Sequence, residues 1–180
     1  MGATTTMVTV REFLQLPELE GERKELIGGE VVTMGRGKPP HEIVKSNLTR
    51  ILVLWFAQNP VAEVFPESMF QVDDQNAFIP DLSVVFSDRV TSGARDWWQG
   101  SPEIAVEVVS SETAARLEEK IARYLANGAK SVWVAFPESR IVRVIDASGL
   151  SRKFDHDQTL EDPAALPGFS TPVSDIFKNI

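Results

Sequence analysis

The alternation of apolar and polar residues sets out most of the elements of this chain. In TVREFLQLP, Val10, Phe13, Leu14 and Leu16 fall at helical spacing and predict a short amphipathic helix ended by Pro17. KELIGGEVVTM predicts two short strands turning at Gly28-Gly29. After the loop GRGKPP, Ile43, Val44, Leu48, Ile51, Leu52 and Trp55 predict a helix over 41–58, stopped by Asn59-Pro60. Strand patterns in VAEVFPESMFQV and FIPDLSVVF flank the polar turn DDQN, and 87–101 reads as a long polar connection carrying Trp97 and Trp98. EIAVEVVS is a strand. SETAARLEEKIARYLANG is a helix, with Ser111 or Thr113 as its N-cap and Gly128 as its stop. SVWVAF and RIVRVID are two more strands, and LPGFSTPVSDIF packs back through Phe169, Ile176 and Phe177. The order predicts a single domain over 1–180: an α/β fold with a central mixed β-sheet flanked by helices, preceded by an N-terminal helix and a β-hairpin.

Composition narrows the class. A chain of 180 residues, 43% hydrophobic and 24% charged, is ordinary for a globular domain and long enough to bury a core. No apolar run approaches the ~20 residues of a bilayer span. MGATTTMVTV lacks the basic and long apolar regions of a secretory leader, and its match to the loose M-G-x-x-x-[ST] acylation pattern has no basic patch beside it. Zero cysteines exclude disulfides, thiolate zinc sites and a cysteine nucleophile, and the expected location is cytoplasmic, with no membrane partner. A net charge of −8 argues against non-specific coating of nucleic acid but leaves room for a local basic groove or a metal that offsets charge at a site.

Three polar residues are misplaced relative to the packing pattern. Asp81 opens the apolar run Leu82–Phe86, directly after Pro80. Glu107 sits mid-strand, on the face it shares with Ala105 and Val109. Lys120 lies about 60° around its helix from Leu117, at the margin of the stripe formed by Leu117, Ile121, Tyr124 and Leu125. An ionised carboxylate in an apolar strand is costly unless it is paired, protonated or bound to a cation. Two acids from adjacent strands and a lysine would suit a hard divalent cation such as Mg²⁺, which takes oxygen ligands. The plainer alternatives stand beside this: Asp81 capping a turn, and Glu107 with Lys120 as a structural ion pair. Trp97 and Trp98 are candidates for an interface or substrate channel, with core anchoring the favoured reading.

The sequence of P-D, then E-x-V in a strand, then S-S-x-T and a helix with lysine and tyrosine resembles the PD-(D/E)XK nuclease superfamily. More closely, the chain resembles the Uma-type family of restriction endonucleases, long described as a domain of unknown function. The segments that carry this are TVREFLQLP, KELIGGEVVTM, HEIVKSNL, IPDLSVVF, PEIAVEVVSSETAARLEEKIARYLANGAKSVWV and LPGFSTPVSDIF. The resemblance implies a restriction-endonuclease-like core and a hydrolase cutting DNA with Mg²⁺, or Mn²⁺ in its place. It implies Asp81 and Glu107 as metal-binding catalytic acids, and Lys120 as the lysine that positions water or stabilises charge. The superfamily's usual lysine position is Val109 here; Lys120 takes the place it occupies in the related family, thirteen positions after Glu107. His41 is a further catalytic candidate, set against a helix-terminal residue contacting backbone, and Glu42 and Glu25 rank below it. Gly28, Ser111 and Ala135-Phe136 depart from the family pattern. A homodimer is expected, because one active centre cuts one strand. The rival expectations are a catalytically inactive module that keeps the nuclease fold for binding or assembly, and a nuclease acting on RNA.

Overall fold

The computed structural model describes residues 7–17, 22–35, 37–92, 97–110 and 112–180. A short helix α1 (Val10–Phe13) is closed by a capping box between Thr9 and Glu12. It stops before Leu14 rather than at Pro17, and Leu16 is left exposed. The hairpin forms as its alternation predicts, with β1 (Arg23–Ile27) and β2 (Glu30–Met34) joined at Gly28 and Gly29. Both glycines have positive φ, the requirement of a tight two-residue turn. Helix α2 (Pro39–Gln58) follows, with proline in its first turn.

The next stretch departs most from the pattern. It contains β3 (Ala62–Pro66), β4 (Phe70–Asp73), β5 (Asn76–Phe78) and β6 (Leu82–Phe86). FIPDLSVVF is therefore not one strand. Pro80 lacks the N–H a ladder needs and fixes its own φ, so the chain leaves one sheet at Phe78 and enters another at Leu82. Asp81 sits at that corner. The expected polar connection over 87–101 contains a helix α3 (Ser87–Ser92) and a short strand β7 (Trp98–Gln99). Trp98 packs against Phe65 and stacks on Phe70, anchoring this segment to the core, while Trp97 donates to the Gln71 side chain at 3.2 Å.

The strand β8 (Ile104–Val108), helix α4 (Ala114–Ala126) and strand β9 (Ser131–Phe136) form a parallel crossover. Thr113 caps α4 by accepting from the Arg116 N–H; Ser111 lies outside the described residues. The chain continues through β10 (Ile141–Asp146), β11 (Ser151–Phe154), β12 (Thr159–Glu161), β13 (Ser170–Pro172) and α5 (Val173–Ile176). The last three strands were not anticipated.

Two main sheets result rather than one. The larger is six-stranded and mixed, in the order β11-β10-β9-β8-β6-β3; the second runs β2-β1-β5-β4-β7; β12 and β13 pair separately. One face of β8, carrying Ile104, Val106 and Val108, packs with α2 and with Phe169, Ile176 and Phe177. The other face packs Ala105, Val132 and Val134 with Leu117, Ile121 and Tyr124 of α4 and with Phe70 and Phe78 of the second sheet. Glu107 belongs to this second face by parity, so it is enclosed between two sheets and a helix. No described helix is long and apolar enough to cross a membrane.

The closing segment is pinned by Asp162, which is fully buried and accepts from Ser131 Oγ, Trp133 Nε1 and the Ala165 N–H. Asp162→Ala strands these buried donors, and is expected to lower stability by about 2–4 kcal/mol. A urea midpoint within experimental error of the parent would disprove that role.

Candidate active site

The two acids meet because of strand register. In the antiparallel β6–β8 pair, Leu82 faces Val106, so the next position outward brings Asp81 opposite Glu107. Asp81 Oδ2 accepts the Val108 N–H at 2.8 Å, and Oδ1 lies 3.0 Å from His41 Nε2. Burial alone would raise the Asp81 pKa. The His41 contact, its charge and the Val108 N–H outweigh it and hold the carboxyl below its ordinary range. His41 Nδ1 is in turn 3.1 Å from Glu42 Oε1. Burial works against the imidazolium, but the carboxylates on both ring nitrogens raise the His41 pKa.

Glu107 is in a drier place. Its Oε1 is 2.8 Å from Lys120 Nζ and accepts the Tyr124 hydroxyl at 2.9 Å. Lys120 also reaches Glu25 Oε1 at 3.2 Å, and the same oxygen accepts the Ile79 N–H at 2.6 Å. Lys120 and Tyr124 are wholly buried, as is Glu25, whose Oε2 has no hydrogen-bond partner among the described residues. Burial, reinforced by Glu25, Asp81 and Glu112, outweighs the pull of Lys120 and raises the Glu107 carboxyl to about 8. Lys120 is driven the opposite way from the effect of burial: Glu107, Glu25 and Glu112 hold its pKa above the ordinary lysine value. It is therefore a permanent cation, unsuited to accept a proton.

These residues border a cavity of about 170 Å³ lined by His41, Asp81, Glu107, Glu112, Arg23 and Arg116, among others. Lys120 does not line it. The ammonium lies behind Glu107 and bears on the cavity through that carboxylate. Asp81, Glu107, Lys120 and His41 are thus brought into one cluster, with Glu42 at its edge. Glu25, ranked low from the sequence, stands at the centre. Glu112 and the Tyr124 hydroxyl were not anticipated as parts of it; Tyr124 follows Lys120 by one helical turn, which was the available signal.

The donor set fits a hard divalent cation in a limited way. Two carboxylates, Asp81 and Glu107, open onto one cavity, and Mg²⁺ commonly uses one or two carboxylates with water completing its shell. Four acids (Glu25, Asp81, Glu107 and Glu112) gather around Lys120 and His41, with Arg116 beside Glu112, and burial together with the neighbouring acids makes Glu107 resist ionisation. A dication would relieve that excess. No group of three His, Asp or Glu residues among the described residues is arranged to hold a metal by itself.

The fold is an α+β architecture with a mixed central sheet and a parallel β8–α4–β9 crossover. The same fold is found in the crystal structure of a "putative nuclease belonging to DUF820" from Anabaena variabilis, with a TM-score of 0.81, 21% identity, and coverage of 94% of this chain and 97% of that one. The family model Uma2, described as "Putative restriction endonuclease", matches residues 10–174, and the chain belongs to that family. An uncharacterized protein of Synechocystis sp. is 27% identical over 114 residues, 62% of this chain; the match spans 64% of that protein's own length.

Proposed function

We propose that the protein is a divalent-metal-dependent endonuclease that hydrolyses DNA phosphodiester bonds. The observation that carries this reading is the register-opposed pair Asp81 and Glu107, open to one cavity and crowded by two further acids. Asp81 and Glu107 would hold the cation, Mg²⁺ or Mn²⁺. When bound, it supplies charge stabilisation at the phosphate and a more acidic water. Within the protein, His41 and the Val108 N–H fix the direction of the Asp81 carboxylate. Lys120 and Tyr124 fix Glu107 and keep one positive charge behind it. Lys120 is thus a positioning residue that acts through Glu107, with its charge close enough to favour negative charge developing in the cavity.

A specific pH dependence follows. A carboxyl whose folded pKa is raised favours folding below its ordinary value, and that contribution is lost as pH rises from 4.5 toward about 8. Glu107 must release its proton to act as a ligand. Metal affinity is therefore expected to climb with pH up to about 8, with proton release, and to level off above it. Mn²⁺ titration calorimetry in buffers of different ionisation enthalpy measures both; affinity independent of pH over that range would contradict the assignment.

The decisive experiment compares cleavage of DNA and RNA of matching sequence by wild type and Glu107→Ala, with Mn²⁺ and with chelator. Metal-dependent cutting lost in the variant supports the reading, and the preferred strand names the substrate. A second reading, a non-catalytic module that keeps the fold, is favoured by Lys120, which is wholly buried, bonded to Glu25 and Glu107, and outside the cavity lining. That reading expects neither metal-dependent stabilisation nor cleavage. Cutting both strands of a duplex calls for two copies of the chain, which sedimentation in the presence of DNA would reveal.

A further inference from the structure

Two arginines line the cavity beside the acid pair: Arg23, ion-paired to Glu67, and Arg116, whose charge bears on Glu112 and Glu30. We infer that Arg23 and Arg116 grip the phosphates on either side of the one at the acid pair, so that the substrate is a polynucleotide strand laid along the β1–β2 hairpin. This rests on the nuclease reading and adds the substrate's path to it. Apart from His41, these are the basic residues among those lining the cavity.

Their placement follows from register. Arg23 opens β1 opposite Met34, and Ile27 closes it opposite Glu30. Arg116, in the first turn of α4, approaches Glu30 at 3.8 Å and so stands at the turn end of the hairpin. Glu25, midway along β1, contacts Lys120 and through it Glu107. An arginine thus lies toward each end of the hairpin, with the acid cluster between. Four residue steps along the strand take Arg23 to Ile27, about 13 Å at the usual rise. Backbone positions that far apart suit a strand with successive phosphates.

Each arginine is also poised for an anion. Arg23 Nη1 is held by Glu67 at 2.5 Å, while its Nε is buried with no hydrogen-bond partner among the described residues. Glu67 itself is set in a left-handed conformation (φ 51°), donates its N–H to the Asp81 carbonyl and binds Lys45 at 2.6 Å. The guanidinium is therefore anchored at one end to the backbone beside the acid pair. The Arg23 side chain as a whole is 38% exposed, and its guanidinium is the part of that residue open to a phosphate oxygen. Arg116 is half exposed, and its contact with Glu30 is too long for a hydrogen bond.

Binding of a short fluorescent oligodeoxynucleotide is measured by anisotropy over a range of salt, alongside cleavage with Mn²⁺. Arg116→Gln and Arg23→Gln are each expected to weaken binding roughly tenfold or more. Each should reduce the slope of log affinity against log salt by about 0.7–0.9, with Mn²⁺ affinity not weakened, since a positive charge beside the cation is removed. Arg116→Lys should restore part of the loss. Arg143→Gln, which removes the same charge from a residue paired with Glu118 outside the cavity lining, should bind as wild type does. Because Arg116 is exposed, its variants test the idea even if Arg23→Gln fails to fold. Cleavage by wild type with undiminished binding by both glutamine variants overturns the arginine assignment and leaves the nuclease reading intact. Binding without cleavage, lost in these variants, supports the assignment and defeats the nuclease reading. No binding by wild type overturns both.

Discussion

Glu107→Gln should fold like the parent and lose metal-dependent cleavage by ~10³-fold or more. The amide has the shape of the carboxyl, and Tyr124 can still donate to its oxygen. Lys120 keeps Glu25 at 3.2 Å, so no cation is stranded. What disappears is the negative charge, in a place where burial and three acids already oppose it. The thermal midpoint should thus change little without metal, while the upward shift produced by Mn²⁺ should be lost. Thermal melts and single-turnover cleavage on one preparation measure the two effects together. Full Mn²⁺ stabilisation in the variant would show that Glu107 is not a principal ligand.

Lys120→Met should have the larger effect on stability. The methionine keeps most of the aliphatic stem but leaves Glu25 and Glu107 buried without their shared cation. Removing one partner from a buried ion pair costs about 3–5 kcal/mol. The lysine's own contribution is undiminished near neutrality, because a raised lysine pKa matters only above its ordinary value of 10.5. The loss should grow as pH rises through about 8, where Glu107 ionises beside Lys120 in the parent but stays protonated in the variant. Activity per folded molecule should fall by ~10²-fold or more. A second readout separates positioning from simple support. Lys120 is what lowers the Glu107 pKa, so without it the pH at which Mn²⁺ binds should move upward. A destabilised variant with unchanged turnover and an unchanged pH profile would make Lys120 structural only.

The parts of this protein legible in its sequence are those whose signal is local. The α4 stripe, the hairpin glycines and the polar fault in β8 each lie within a few residues of one another, and each is where its pattern places it. Lys120 read as marginal to its stripe because periodicity ranks burial without knowing what waits inside. It is completely buried, since Glu25 and Glu107 both face it. Glu25 was underrated for the same reason: its partner is 95 positions away in the chain. Tyr124 looked like any core aromatic, and only the hydroxyl contact sets it apart. The break at Pro80 was obscured by apolar residues on both sides, although proline chemistry foreshadowed it. The anchoring of Arg23 by Glu67 joins β1 to the segment after β3, and no periodicity records such a link. Strands β11–β13 are short and partly exposed, so their alternation is weak.

The two faces of β8 belong to different moments in the life of the chain. Every member of the acid cluster has been synthesised by Tyr124, yet the opposite face of that strand is covered by Leu160, Phe169, Ile176 and Phe177. Asn47 of α2 likewise waits for the carbonyls of Ile176 and Lys178, 129 and 131 positions later. Until that segment has left the ribosome, this face of β8 has α2 against it but lacks Leu160, Phe169, Ile176 and Phe177. The acid cluster is thus complete in sequence well before the packing that steadies its strand, so its geometry matures only as residues 160–180 dock.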